Sequence, residues 1–114
     1  MVLTNGYYSV PPKPFHDAVS GYEFKGYMHF GYWFLGDGVV IRCSKSSQNV
    51  IEDFSKEEFN LSKPGEYSIS ENKLEVIFDK GLKWEYREVF DILSNNEFEN
   101  EKRSFKFVEW KPSI

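Results

Sequence analysis

The sequence predicts an all-β protein, an antiparallel meander β-barrel of about seven strands with a short helical insertion near residues 48–61. Two observations carry this. Aromatic-rich runs are joined by tight turn signals at Gly36-Asp37-Gly38, Glu71-Asn72 and Asp79-Lys80-Gly81. From Glu66 onward, apolar and polar residues alternate, as in a sheet wetted on one face. At 114 residues the chain is expected to form one domain, 1–114.

The first strand is expected over 3–10, with Tyr7 and Tyr8. Pro11-Pro12-Lys13-Pro14 should stop its ladder, because proline has no amide donor. Residues 15–21 read as an irregular loop across one end. The second strand runs from Tyr22 to Leu35, with Gly26 and Gly31 marking a bulge or bend. Both its faces are apolar: Met28, Phe30, Tyr32 and Phe34 on one, Tyr27, His29, Trp33 and Leu35 on the other. A strand of this kind is either covered on both sides or exposes an aromatic patch. A type I turn with Gly38 left-handed leads into a third strand, 39–45.

The period then changes. Asn49 with Glu52, and Ser55 with Glu58, are two successive helix-cap signals, so the segment is one helix or two short turns. Lys63-Pro64-Gly65 ends it. Tyr67 and Ile69, then Leu74, Val76 and Phe78, then Leu82, Trp84 and Tyr86 form successive inward faces, which makes Trp84 an expected core residue. The alternation slips near Glu88-Val89-Phe90, where a bulge is preferred over an inward carboxylate. Ser94-Asn95-Asn96 is a turn, 96–102 reads as too polar to bury, and the last strand spans 103–110 with Phe105 and Phe107 inward, ended by Pro112. A closed barrel removes exposed edges. An open, curved sheet plugged by the helix is the other arrangement that fits.

Composition narrows the function classes. Aromatics make up 18% of the chain, with 11 Phe, 7 Tyr and 3 Trp, a load suited to pleated, half-buried surfaces. The net charge of −4 and the interspersed Lys and Glu argue against a nucleic-acid partner, which would call for a basic face. Cys43 is the single cysteine, so no internal disulfide forms, and its apolar strand predicts a buried thiol. Residues 1–6 lack the charged-then-apolar pattern of an export signal, and no run is long enough to span a membrane. A cytoplasmic location and no membrane partner are the expectation. The Asn60-Leu61-Ser62 sequon carries little weight in that setting.

No constellation for chemistry emerges. His16 and His29 have no third ligand at a metal-like spacing, and no nucleophile-elbow or phosphate-loop motif is present. Glu23, Asp37, Glu75 and Glu85 fall on outer faces or turns, whereas paired acid–base work needs converging carboxylates. The expectation is no catalytic residue, no metal and no cofactor.

Phe34-Leu35-Gly36-Asp37-Gly38-Val39-Val40 and Gly65-Glu66-Tyr67-Ser68-Ile69-Ser70-Glu71-Asn72 flank the helical segment, and an alternating hairpin follows. In this order the chain resembles the small bacterial lipocalin-like proteins of the calycin type over residues 3–110. Leu3-Thr4-Asn5-Gly6-Tyr7-Tyr8 is similar to the lipocalin start, with Tyr8 where a lipocalin has Trp. The resemblance implies that Arg103 packs over that aromatic. It implies a barrel but no particular activity.

The leading functional expectation is a non-catalytic barrel that binds a small apolar ligand. The ligand would be lined by Met28, Phe30, Tyr32, Phe34, Phe78, Trp84, Tyr86 and Phe105. The alternative is a protein-interaction module, through self-association or a partner, using Tyr27, His29 and Trp33 on the aromatic strand 27–35.

Overall fold

The computed structural model describes residues 2–19, 22–50 and 53–110, and for 17–19 and 22–24 the backbone alone. Ile51, Glu52 and Pro112, used in the sequence reading, lie outside the described residues.

The elements are β1 (Gly6–Ser9), β2 (Lys13–Val19), β3 (Tyr22–Phe34), β4 (Val39–Ser47), α1 (Lys56–Asn60), β5 (Gly65–Ser70), β6 (Lys73–Phe78), β7 (Tyr86–Ser94), β8 (Glu97–Glu99) and β9 (Ser104–Glu109). All pairings are antiparallel, in the order β1-β9-β8-β7-β6-β5-β4-β3-β2. A further β1–β3 pairing closes the sheet into an eight-stranded barrel and leaves β2 outside it. Closure hangs on β3. Its first half, Tyr22–Met28, pairs with β2, and its second half meets β1 at Gly31 and Tyr32.

The count exceeds seven for two reasons. Lys13 and Pro14, read as part of a proline stop, and residues 15–19, read as part of a loop, form β2, which among the described residues has its neighbour at β3 alone; an edge strand tolerates Pro14. The polar stretch 96–102 contains β8, because Phe98 alone supplies a fully buried anchor between polar neighbours. At the first hairpin, Asp37 joins Gly38 at positive φ (64° and 76°), so the turn is not type I.

The reading of 82–86 fails. Asp79 (φ 56°) and Gly81 (φ 79°) wind the chain into successive turns, in which Leu82 N–H donates to Asp79 O at 3.0 Å and Glu85 N–H to Leu82 O at 3.1 Å. Leu82 and Trp84 therefore sit in a connection and not in a strand, and Trp84 is 65% exposed. Period-two spacing alone does not distinguish a strand from a turn that happens to carry apolar residues. The alternation of β7 runs from Tyr86 through Glu88 and Phe90 without a slip, and the irregularity lies farther on, between Ile92 and Ser94.

Among the described residues the helical segment is a single short helix, α1. Ser55 accepts from Glu58 N–H while the Glu58 carboxylate accepts from Ser55 N–H, the reciprocal cap that the second signal announced. Residues 48–50, where the first signal begins, are bends.

Two cores lie on opposite sides of the wall. The interior is filled by rings: Tyr32 stacks on Phe105 at 4.9 Å and on Phe78 at 5.8 Å, and Tyr8 meets Phe34 edge-on at 5.5 Å. These side chains are buried with Phe90, Phe98, Leu74 and Val76. Val2 and Leu3 pack against the same cluster, and Leu3 N–H donates to the Tyr8 hydroxyl, which itself donates to Asn95 O. The outer core holds Tyr7, Ile41, Phe54 and Phe59, with Trp33, Cys43 and Trp110 against it. Gly31 makes room for it, since a Cβ there would lie 3.3 Å from the Phe59 ring and 3.4 Å from that of Phe54. Lys45 ties the cover to β4 through Glu58, at 3.0 Å. The two-faced aromatic strand is thus covered on both sides where it joins the barrel.

Phe105→Ala should lower the unfolding free energy by about 3–5 kcal/mol, the cost of an emptied aromatic site. Trp84→Ala should stay within about 0.5 kcal/mol of the parent. Urea unfolding of the two variants checks the pair, and a large loss at Trp84 would contradict the exposed turn.

Candidate functional site

The polar residues that converge do so at the end of the barrel opposite Val2 and Leu3. Alternation along β7 points Glu88 inward, where it is 8% exposed. Arg103, in the turn before β9, reaches it with two donors: Nη2 to Oε1, and Nε to Oε2 at 3.1 Å. The Tyr86 hydroxyl donates to Oε1 at 2.6 Å and Asn100 Nδ2 to Oε2 at 2.8 Å. Arg103 Nη2 also donates to the Tyr32 hydroxyl at 2.9 Å. Its guanidinium lies 4.4 Å over the Phe30 ring and 5.0 Å over that of Phe105. The aromatic under Arg103 is therefore Phe30. Tyr8, which the resemblance proposed for that role, packs toward the other end against Phe34 and Phe98.

Burial alone would push the Glu88 carboxyl up, but hydrogen bonds from Arg103, Tyr86 and Asn100, with the Arg103 charge, outweigh it and hold the carboxyl below its usual range. Burial, opposed in part by Arg103, pushes the Tyr32 hydroxyl far above its ordinary value. Burial also pushes the Tyr86 hydroxyl up, with the bond to Glu88 adding to it. Glu88 is thus an ionised carboxylate with both oxygens engaged. Bonded to Arg103, Tyr86 and Asn100, it acts as a latch across the barrel mouth.

Beside this latch the wall opens. β4 and β5 pair only at Val39↔Glu66 and Val40↔Gly65. Before Gly65, Pro64 brings no amide to the ladder. Gly65 itself lies so close to β6 that a Cβ would sit 2.5 Å from both Ile77 O and the Phe78 ring. The seam therefore parts into a cleft of about 470 Å³ lined by Phe30, Arg42, Ser44, Lys63, Phe78 and Asp79, among others. Arg42, opposite Tyr32 in the β3–β4 register, lays its guanidinium 4.2 Å over Phe78 and 5.8 Å from the Tyr86 ring. Asp79 lies 3.6 Å from both Arg42 Nη2 and Lys63 Nζ.

The sequence-predicted lining residues separate into groups. Tyr32, Phe34 and Phe105 lie in the filled interior, fully buried, while Phe78, 2% exposed, belongs to the interior and also borders the cleft. Phe30 is half-buried at the mouth, and Tyr86 is partly exposed on its rim. Met28 is exposed on the half of β3 beyond the barrel, and Trp84 is exposed in the β6–β7 connection. Among the interaction residues, His29 is buried and shares a 2.9 Å hydrogen bond with the Ser47 hydroxyl. Trp33 is half-buried against Phe59 and Trp110, and its Nε1 donates to Thr4 O at 3.3 Å. Tyr27 lines a shallower groove with Pro14, Phe15 and Lys25.

Arg42, Lys63 and Asp79 escaped the sequence reading as site residues. Arg42 left a signal: it is the one charge in Val39–Cys43, on the same alternation as buried Val40. Lys63 and Asp79 meet only through the fold. Burial pushes the Cys43 thiol up. Among the described residues, no three His, Cys, Asp or Glu gather as a metal site, and no helix is long and apolar enough to cross a membrane. Comparisons with protein-family models, with curated proteins and with solved structures gave no match.

Glu88→Ala, which strands the Arg103 charge, should cost about 3–5 kcal/mol. Because the folded carboxyl is held low, its contribution is complete above the unfolded value near pH ~4.3 and fades as pH falls through the folded value. Parent melting temperature should therefore drop on acidification below about pH 4 more steeply than that of Glu88→Gln, measured side by side.

Proposed function

We propose that the protein is a non-catalytic binding barrel whose ligand, small and in part apolar, sits in the cleft at the β4–β5 seam and not in the barrel interior. The observation that carries this is the contrast between the two spaces. The interior is occupied by its own stacked rings and latched by Glu88 and Arg103. The cleft, at about 470 Å³, falls within the size range of small-molecule sites and reaches the Phe30 and Phe78 rings. Of the eight expected lining residues, Phe30 and Phe78 border this cleft. Non-catalytic action is supported by the saturation of Glu88, the carboxylate best buried among the described residues.

The interaction reading draws less support. The chain's own Phe59, Trp110 and Ser47 cover Trp33 and His29, which leaves half-buried Tyr27, on the outlying half of β3, as the remnant of that face.

Titration with 1-anilinonaphthalene-8-sulfonate, followed by fluorescence, should give saturable one-to-one binding. Ser44→Trp, which fills the cleft from the β4 side, should abolish it while leaving the melting temperature unchanged. Binding that survives Ser44→Trp would move the site elsewhere.

A further inference from the structure

We infer that the cleft selects a small organic anion: a carboxylate or phosphate group held by Arg42 and Lys63, with a flat apolar body lying against Phe30 and Pro64. This rests on the cleft being the binding site and adds the chemistry of what enters it.

The charged residues lining the cleft are two cations, Arg42 and Lys63, and one acid, Asp79. Arg103 stands behind Phe30, but Glu88 neutralises it, so the excess of one positive charge belongs to the cleft alone. That excess stands out on a chain of net charge −4. Screening limits the wider negative field to about 8–10 Å, so a bound group at contact distance feels the two local cations first.

Geometry sharpens the assignment. The Phe78 ring, 4.2 Å from the Arg42 guanidinium, holds that side chain against the cleft wall, and its planar fork suits a carboxylate or phosphate. Asp79 lies 3.6 Å from each cation, longer than a hydrogen bond. It therefore holds the cations near one another while leaving their N–H donors capacity for a second acceptor. The Ser44 and Ser62 hydroxyls line the same space as neutral donors. A cationic ligand would face two like charges across one acid that both already engage.

The test compares two dyes with the same body: 1-anilinonaphthalene-8-sulfonate, whose sulfonate stands in for the anionic group, and neutral 1-anilinonaphthalene. With the full chain at low salt, the anion should bind about tenfold more tightly than the neutral parent. Lys63→Gln, at an exposed position, should remove much of that preference without touching the fold, and Arg42→Gln the rest. Asp79→Asn should tighten the anion severalfold, and Asn accepts the left-handed backbone at this position. Neutral dye affinity should move little in all three variants. Equal affinity for both dyes, each abolished by Ser44→Trp, would overturn the anion assignment and leave the cleft reading intact. Failure of both dyes to bind, or binding of both that Ser44→Trp leaves unchanged, would overturn the cleft reading itself and the assignment with it.

Discussion

The rest of the molecule depends on the demand placed on β3. One strand of 13 residues must pair with β2 over its first half, with β1 over its second, and with β4 along most of its length. A strand hydrogen-bonded on both edges in a closed wall must then bury both faces, because each carries large apolar groups. The inner face is satisfied by the stacked rings of the interior. The outer face needs a second core, and the segment carrying Phe54 and Phe59, with Trp110 from the end of β9, supplies it. The strand outside the barrel, the short helix and the packing of the chain's last described residue all follow from that one strand.

The same demand limits where a ligand can go. A barrel of this strand number has an interior just wide enough for its own side chains, and here aromatic rings take that space. The remaining freedom lies at a thinly paired seam. Two residue pairs join β4 to β5, against eight between β3 and β4, and the seam beside the short ladder is where the cleft forms. A polar latch and a charged cleft therefore sit side by side for different reasons. Glu88 and Arg103 face inward and had to be satisfied to be tolerated. Arg42 and Lys63 border water and keep capacity to spare.

Much of the wall was legible in the sequence because period-two alternation and turn residues are local signals. The hairpins at Gly36–Gly38 and Glu71-Asn72 and the capping box at Ser55 and Glu58 needed no tertiary information. Residues 82–86 were misread because alternating apolar residues in a turn mimic a strand, and left-handed Asp79 gave no compositional warning beside a glycine. Glu88 was the opposite case. Plain alternation pointed it inward, but a buried carboxylate looked costly until Arg103, fifteen positions on, came into register with it. The strand β2 was hidden by Pro14 and the two prolines before it, since the effect of a proline depends on whether a neighbour lies on the other side. Of the site, Phe30, Phe78 and Tyr86 were visible as aromatic strand residues. Lys63 and Asp79 were not, since their meeting is set by how far the β4–β5 seam opens.

The pairing of β1 with β9 has a kinetic side. Gly6 lies opposite Glu109, so the ladder that completes the wall joins residues separated by nearly the whole chain. Contacts of such long sequence separation carry their loop-closure entropy before they return any stabilisation, and they slow folding. The hairpins from β5 to β8 are local and can zip early. Until β9 emerges, β1 and β9's neighbour β8 both present open edges, the surfaces most prone to pairing with another chain. On this topology the ring closes late, and the period of greatest aggregation risk falls between the formation of the central hairpins and the arrival of the final strand.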